Sequence, residues 1–342
     1  MGLRWKGLKR FSYSNTIIDM NTTKSKKPIV ENEAYYSRVM SPEVIVRIKN
    51  EFAWILEYVE RHPELDFQTG SNAVDSWFSL YRGTGRLFTI KKDKVLAHPE
   101  YERLCKEFYN HPSPETLDCL LSKVTSIEKF GRYYISKGKK KEGYYQNLIS
   151  RRYSLFCKES DDFIIIDKEY VLGYKDKETR NIWTDRVKEN YRGIVEELQK
   201  TDGFPIEIKL PGTECDFVGL SKDGDVLLFE LKRHEDTAKI YLSPMQIGMY
   251  DDLTKQYVSK FPKEWESAIL SMAEQKVDLG ILKPKWPLPK HLSGKVRLAV
   301  VVGGDASRTA KKNFSIVRSK VNKDIKYYSC KEDGELFEIV LP

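Results

Sequence analysis

The stretch Cys215-Asp-Phe-Val-Gly-Leu-Ser-Lys-Asp-Gly-Asp-Val-Leu-Leu-Phe-Glu-Leu-Lys232 decides how the chain folds. Two apolar runs, Cys215 to Leu220 and Asp225 to Lys232, flank Lys222-Asp223-Gly224, a tight-turn signal, so the runs are expected to pair as an antiparallel hairpin. Side chains alternate along a strand, which sends Glu230 and Lys232 to one face and Phe229 and Leu231 to the other. A hairpin of this length brings Asp216, in the first run, beside Glu230. Charged groups in such apolar strands are costly to bury unless they pair or bind a metal. Two carboxylates and an amine at the end of a sheet suit phosphodiester hydrolysis. Mg²⁺ is commonly held by one or two carboxylates together with water and phosphate. It polarises the phosphoryl group and activates a water, while Lys232 can orient that water and offset developing negative charge.

Outward from the hairpin, Thr184 is placed to cap a helix with Val187, Tyr191, Ile194, Val195 and Leu198 on one face, ended at Asp202-Gly203. Pro205 to Leu210 reads as a further extended segment. Downstream, Ser243-Pro244 marks a helix start running to about Val258, a second helix is expected over 264–276, and Pro284, Pro287 and Pro289 mark a loop. Lys295 to Val302 is a strand whose near-continuous apolar run at 298–302 fits burial on both faces. A helix near 306–320 and strands near 325–329 and 336–341 complete the pattern. The order predicts an α/β domain over 184–342, a mixed β-sheet flanked by helices.

On these elements, Asp216 and Glu230-Leu231-Lys232 resemble the PD-(D/E)XK nuclease superfamily, whose pattern is an acid on one strand and acid-any-lysine on the next. The position of the motif's proline is Cys215 here. Gln246-Ile-Gly-Met-Tyr250 is similar to the Gln-three-residues-Tyr element of RecB-like members, where it arranges the site and contacts nucleic acid. The resemblance covers about 184–342 and implies a restriction-endonuclease-like core with Asp216 and Glu230 as ligands for Mg²⁺, for which Mn²⁺ can substitute. Lys232 would assist the attacking water and, with Gln246, meet the nucleic acid. It further implies DNA as substrate over RNA, endonucleolytic cutting, service in restriction or antiphage defence, and two active sites, hence a homo-oligomer, where both strands are cut. The family often adds an acid from the helix before the first strand. Glu197, bordering the Ile194/Leu198 stripe, is favoured over Glu189 and Glu196; Glu214, on the face of Asp216, can contribute instead. His234, just past Lys232, is within reach of phosphate. Plainer readings stand beside these: an acid-any-lysine triplet arises by chance in a chain that is 32% charged. Gln246 also fits a capping box begun by Ser243, and Tyr250 fits ordinary packing one turn on. A nucleic-acid-binding or scaffold module of the same fold without turnover, and an RNA nuclease, are the alternatives.

The 342 residues suit two domains, and a formal charge of +8 favours anionic partners. The five cysteines have no pair at metal-finger or redox spacing, which suggests reduced thiols in the cytoplasm. Nothing approaches the roughly 18 apolar residues of a membrane span, and no secretion signal is visible. Gly2 is no acylation site, because Lys6 stands where that motif wants Ser or Thr. Residues 1–40, with Asn21-Thr-Thr-Lys-Ser-Lys-Lys27, read as a partly disordered arm or linker. Residues 41–180 predict a mixed, mainly helical domain for specificity, oligomer contacts or regulation. Ser41-Pro42-Glu43 starts a helix through Ile48, Phe52, Ile55, Leu56 and Val59, and Trp77–Tyr81 and Arg86–Ile90 form a hairpin across Gly83-Thr84-Gly85. Helices follow at 98–110 and 114–126, the second begun by Ser113-Pro114-Glu115. Lys137-Gly-Lys-Lys-Lys141 leads into Gly143–Tyr153, where charge and aromatic rings interleave as phosphate contact and base stacking require. Arg151 and Arg152 are its expected nucleic-acid contacts; the alternative is a solvated basic loop before a helix whose tyrosines pack inward.

Overall fold

A computed structural model of the chain describes residues 33–72, 75–205, 207–210, 212 and 214–341; the arm expected around Asn21–Lys27 lies outside them. Strands β1 (Leu65–Ser71), β2 (Ser76–Arg82), β3 (Gly85–Ile90) and β4 (Val95–Ala97) form a four-stranded antiparallel sheet in chain order. The β2–β3 turn is the expected one, with Gly83 at φ 59, a left-handed conformation that costs glycine little. Helices α1 (Pro42–Glu51), α2 (Ala53–Arg61) and α3 (Pro114–Ser126) close a core against it, with Ile48, Ile55, Val59, Leu117 and Leu120 packed on Phe78, Leu80 and Phe88. Ser113 caps α3 in a reciprocal box with Thr116. The helix expected over 98–110 is broken into Pro99–Glu102 and Lys106–Asn110, because Cys105 between them leaves helical backbone at φ −149 and ψ 80.

The carboxy-terminal half carries the mixed α/β architecture expected of it. Strands β5 (Phe163–Tyr170), β6 (Cys215–Ser221), β7 (Val226–Arg233), β8 (Val296–Gly303), β9 (Ile325–Cys330) and β10 (Leu336–Glu338) form a six-stranded sheet in the order β10-β9-β8-β7-β6-β5. β6 and β7 are antiparallel, with Phe217 opposite Phe229, and β7 and β8 run parallel. β5 pairs antiparallel with β6 although it lies before the boundary expected at 180–184. Helix α4 (Glu142–Arg152) also precedes that boundary and covers one face, placing Tyr145 and Ile149 on Phe217, Phe229, Leu231 and Val301. On the other face, α5 (Lys177–Gln199), α6 (Thr237–Lys260), α7 (Pro262–Asp278) and α8 (Arg308–Val321) pack on Val218, Leu228, Val300 and Val302. Residues 33–40 are packed chain rather than arm: Ala34–Tyr35 pairs with Gly173–Tyr174, and Tyr36 and Met40 are buried.

Two helix starts differ from the sequence expectation for local reasons. Asp176 accepts from Thr179 N–H at 2.7 Å and caps α5 upstream of Thr184, which is buried within the helix. Likewise α6 begins at Thr237 and runs through Pro244. Proline has no N–H to give the Ile240 carbonyl, and Ser243 Oγ donates to that oxygen at 2.6 Å instead. The described residues of Pro205–Leu210 belong to no strand. All five cysteines are free, and among the described residues no helix is long and apolar enough to cross a membrane.

Candidate active site

The hairpin register puts Asp216, one step before the Phe217–Phe229 pair, across from Glu230. Asp216 Oδ2 accepts the Leu231 N–H at 2.7 Å, which fixes its carboxylate on the β7 backbone. Glu230 is 1% exposed and Lys232 7%, and the Lys232 ammonium donates to Glu230 Oε1. Asp216 is less enclosed than Glu230 and Lys232 as a residue, although its carboxyl group is buried. Burial, then the Glu230 charge, hold the Asp216 carboxyl well above the usual carboxylate range. Burial pushes Glu230 up to about 7, against the pull of the Lys232 ammonium. Burial also works against charge on Lys232, but the two carboxylates outweigh it and raise its pKa, so the group is a cationic donor and not a base.

Comparison of the chain with protein-family models, with curated proteins and with solved structures returned no match. What the site can do therefore rests on its own geometry. Glu230 Oε2 is buried with no hydrogen-bond partner among the described residues, so a bound cation would satisfy it. Among the described residues no group of three or more His, Cys, Asp and Glu is arranged to hold a metal ion. Two carboxylates suffice for Mg²⁺, which retains waters and takes the rest of its shell from substrate phosphate. Asp216 and Glu230 fit that requirement.

Helix α6 supplies the roof. Gln246 Nε2 donates to Tyr250 Oη at 2.6 Å, so Gln246 serves Tyr250 and is not part of a capping box. Tyr250 is 2% exposed, and burial, reinforced by the Glu230 charge, raises its pKa well above the ordinary value. The Cys215 thiol donates to the Phe229 carbonyl at 3.1 Å, and burial beside Glu230 and Asp216 keeps it protonated, so it is no nucleophile.

The acids expected upstream are turned to other partners or to solvent. Glu197 is exposed and bound by Lys320 at 2.6 Å, Glu189 pairs with Arg192, and Glu196 is exposed. Glu214 has Glu169, Arg180 and Arg38 as its charged neighbours, not the cluster. Instead Glu142, at the first turn of α4, acts electrostatically on Asp216, Glu230 and Lys232 together. Glu142 is the first residue of the helix that precedes the first strand of the large sheet.

Arg151 and Arg152 are also corrected. Arg151 donates to the Val59, Glu60 and Leu65 carbonyls at 2.7, 3.1 and 2.9 Å, pinning α4 to the amino-terminal unit. Arg152 makes a bidentate pair with Asp161, both bonds 2.7 Å. Both guanidiniums are buried, with no face for phosphate. Tyr145 and Tyr153 pack inward. His234 Nδ1 lies 2.9 Å from the Gly303 carbonyl, beside the site but engaged with backbone.

Proposed function

We propose that the chain is a metal-dependent nuclease of PD-(D/E)XK type with a restriction-endonuclease-like core, DNA being favoured over RNA. The observation that carries it is the conjunction of Asp216 and Glu230 on paired strands with Lys232 on the Glu230 oxygen and the second Glu230 oxygen unpartnered. Asp216 and Glu230 would hold Mg²⁺ or Mn²⁺, and Glu142 adds negative charge at the same end of the sheet. When bound, the ion polarises the phosphoryl group and makes a coordinated water acidic. Lys232, kept protonated, would donate to the attacking water or to the phosphoryl oxygens as negative charge develops. Gln246 holds the Tyr250 hydroxyl in one orientation above the acids. Service in restriction or antiphage defence is an analogy from fold.

The test is incubation with linear DNA, closed circular DNA and matched RNA in Mg²⁺ or Mn²⁺, beside folded Glu230→Ala and Lys232→Ala variants. Metal-dependent cutting lost in both variants is the expected result, and cutting of the circle identifies an endonuclease. Equal inertness with equal binding in all three proteins would refute turnover and leave a binding module of the same architecture.

A further inference from the structure

The basic, tyrosine-rich segment ahead of α4 has no part in the chemistry above. Ile135–Ser136 and Lys139–Lys140 form a small hairpin that turns through Lys137 at φ 50 and Gly138 at φ 73, the two positive-φ positions of a type I′ turn. A β-carbon added at Gly138 would meet nothing within 4 Å, so the tip stands clear. The base, by contrast, is held from both sides. Lys141 N–H donates to the Tyr134 carbonyl at 2.9 Å, and the Arg82 guanidinium of β2 lies 5.1 Å over the Tyr134 ring. The Tyr134 and Tyr144 rings are 5.3 Å apart, and the Lys140 ammonium sits 4.7 Å over Tyr144 on α4.

This hairpin lies beside the carboxyl end of β7, the strand that carries Glu230 and Lys232. Lys141 directly precedes Glu142, the first residue of α4. Lys139 Nζ is 3.7 Å from Glu235, just past Lys232 in the chain. Lys137 and Lys139 are 77% and 66% exposed, and their partners Glu128 and Glu235 are exposed too. Such exposed pairs are weak and exchange readily for other anions. Lys141 has no ion pair among the described residues.

We propose that the Ile135–Lys141 hairpin is a clamp for the sugar-phosphate backbone of the nucleic acid entering the site, with Lys137, Lys139 and Lys141 on phosphates flanking the one attacked. The proposal rests on the nucleic-acid substrate inferred above and adds the surface that grips it. Because the base is already ordered by the Arg82–Tyr134–Tyr144–Lys140 ladder, gripping costs little conformational entropy.

The test measures binding of matched DNA and RNA oligonucleotides against salt in metal-free buffer, where nothing is cut. The full chain is compared with Lys137→Asn/Lys139→Thr/Lys141→Ser, substitutions suited to the left-handed turn, the strand and the helix cap. Loss of three phosphate contacts makes the slope of log Kobs on log salt shallower by about 2 to 3, and weakens binding at low salt on the order of tenfold or more. The thermal midpoint is unchanged, and Lys→Arg at the same three positions restores affinity and slope. Unchanged affinity and slope in the triple variant, or no binding of either polymer by the full chain, overturns the clamp. Cutting separates the two proposals. If the full chain cuts and the triple variant cuts as fast below saturation, the nuclease stands and the clamp falls. If nothing is cut while binding follows the lysines, the clamp stands and the nuclease falls.

Discussion

Glu230 is the residue on which site and stability pull in opposite directions. Its carboxyl, ordinarily near 4.5, is pushed up to about 7 in the folded protein. Between those values the folded state keeps a proton that the unfolded chain gives up. The group's stabilising contribution is therefore complete below about pH 4.5 and lost as pH rises through 7. Asp216 shifts in the same direction. Lys232, raised from 10.5, adds stability that is lost only above that value. In metal-free buffer the thermal midpoint should thus carry a downward component from pH 4.5 to 7, and Glu230→Gln, which has no proton to lose, should flatten it. An unchanged slope in Glu230→Gln would place the titrating group elsewhere. Cation binding needs the ionised carboxylates, so Mg²⁺ affinity should rise across the same window. A second comparison separates the upstream acids. Glu142→Gln should lower cutting roughly 10- to 100-fold, the range for residues that tune a metal site from beside it. Glu197→Gln, which loses only an exposed contact with Lys320, should cut like the parent; the reverse ranking in initial rates would reinstate Glu197.

At the scale of elements, α6 is a helix that ought to break at Pro244 and does not. Its continuity past that point sets where Gln246 and Tyr250 face. Ser243→Ala removes the hydroxyl that satisfies the Ile240 carbonyl and should cost about 1–3 kcal/mol, the penalty for a buried acceptor left alone. A shift of the urea midpoint checks this. Pro244 also shows why sequence and structure part company: Ser-Pro is a start signal at a free helix end, and only tertiary packing lets the helix run through it. The β6–β7 hairpin was legible because both strands and their turn are contiguous, and with it came Asp216, Glu230 and Lys232. The Gln246–Tyr250 pair was legible from its one-turn spacing. β5 carries a strand signal of its own in Phe163-Ile-Ile-Ile166, but its pairing with β6, beyond the whole of α5, leaves no local mark. Without β5, the helix before Cys215 is the helix before the first strand, so the expectation of an upstream acid falls on α5 and Glu197. Arg151 and Arg152 misled for the opposite reason: charge beside tyrosines reads as surface, whereas these two arginines satisfy carbonyls and Asp161 in the interior.

For the whole molecule, the consequence is that the two units are built together. The chain visits the large sheet's neighbourhood at Ala34–Tyr36, leaves to form the amino-terminal sheet, and returns through α4 and β5. Between the units, Lys168 on β5 meets Asp66 on β1 at 2.7 Å with both side chains about 5% exposed or less. Lys168→Met alone strands a buried carboxylate and should cost roughly 3–5 kcal/mol. Asp66→Leu/Lys168→Met should recover most of that loss in the denaturant midpoint, since the pair's mutual attraction barely exceeds its desolvation. The sharper test is a cut at the boundary that the sequence suggested. A fragment of residues 184–342 lacks β5, so β6 becomes an open edge, and lacks α4, so Phe217, Phe229, Leu231 and Val301 lose their cover. At about 1.5–3 kcal/mol for each large apolar side chain returned to water, these four forfeit roughly 6–12 kcal/mol, as much as the roughly 5–15 kcal/mol by which a whole domain is stable. The fragment should show no cooperative thermal transition by circular dichroism where the full chain shows one. A cooperative melt from 184–342 would mean that the five strands β6 to β10 and their helices need neither α4 nor β5.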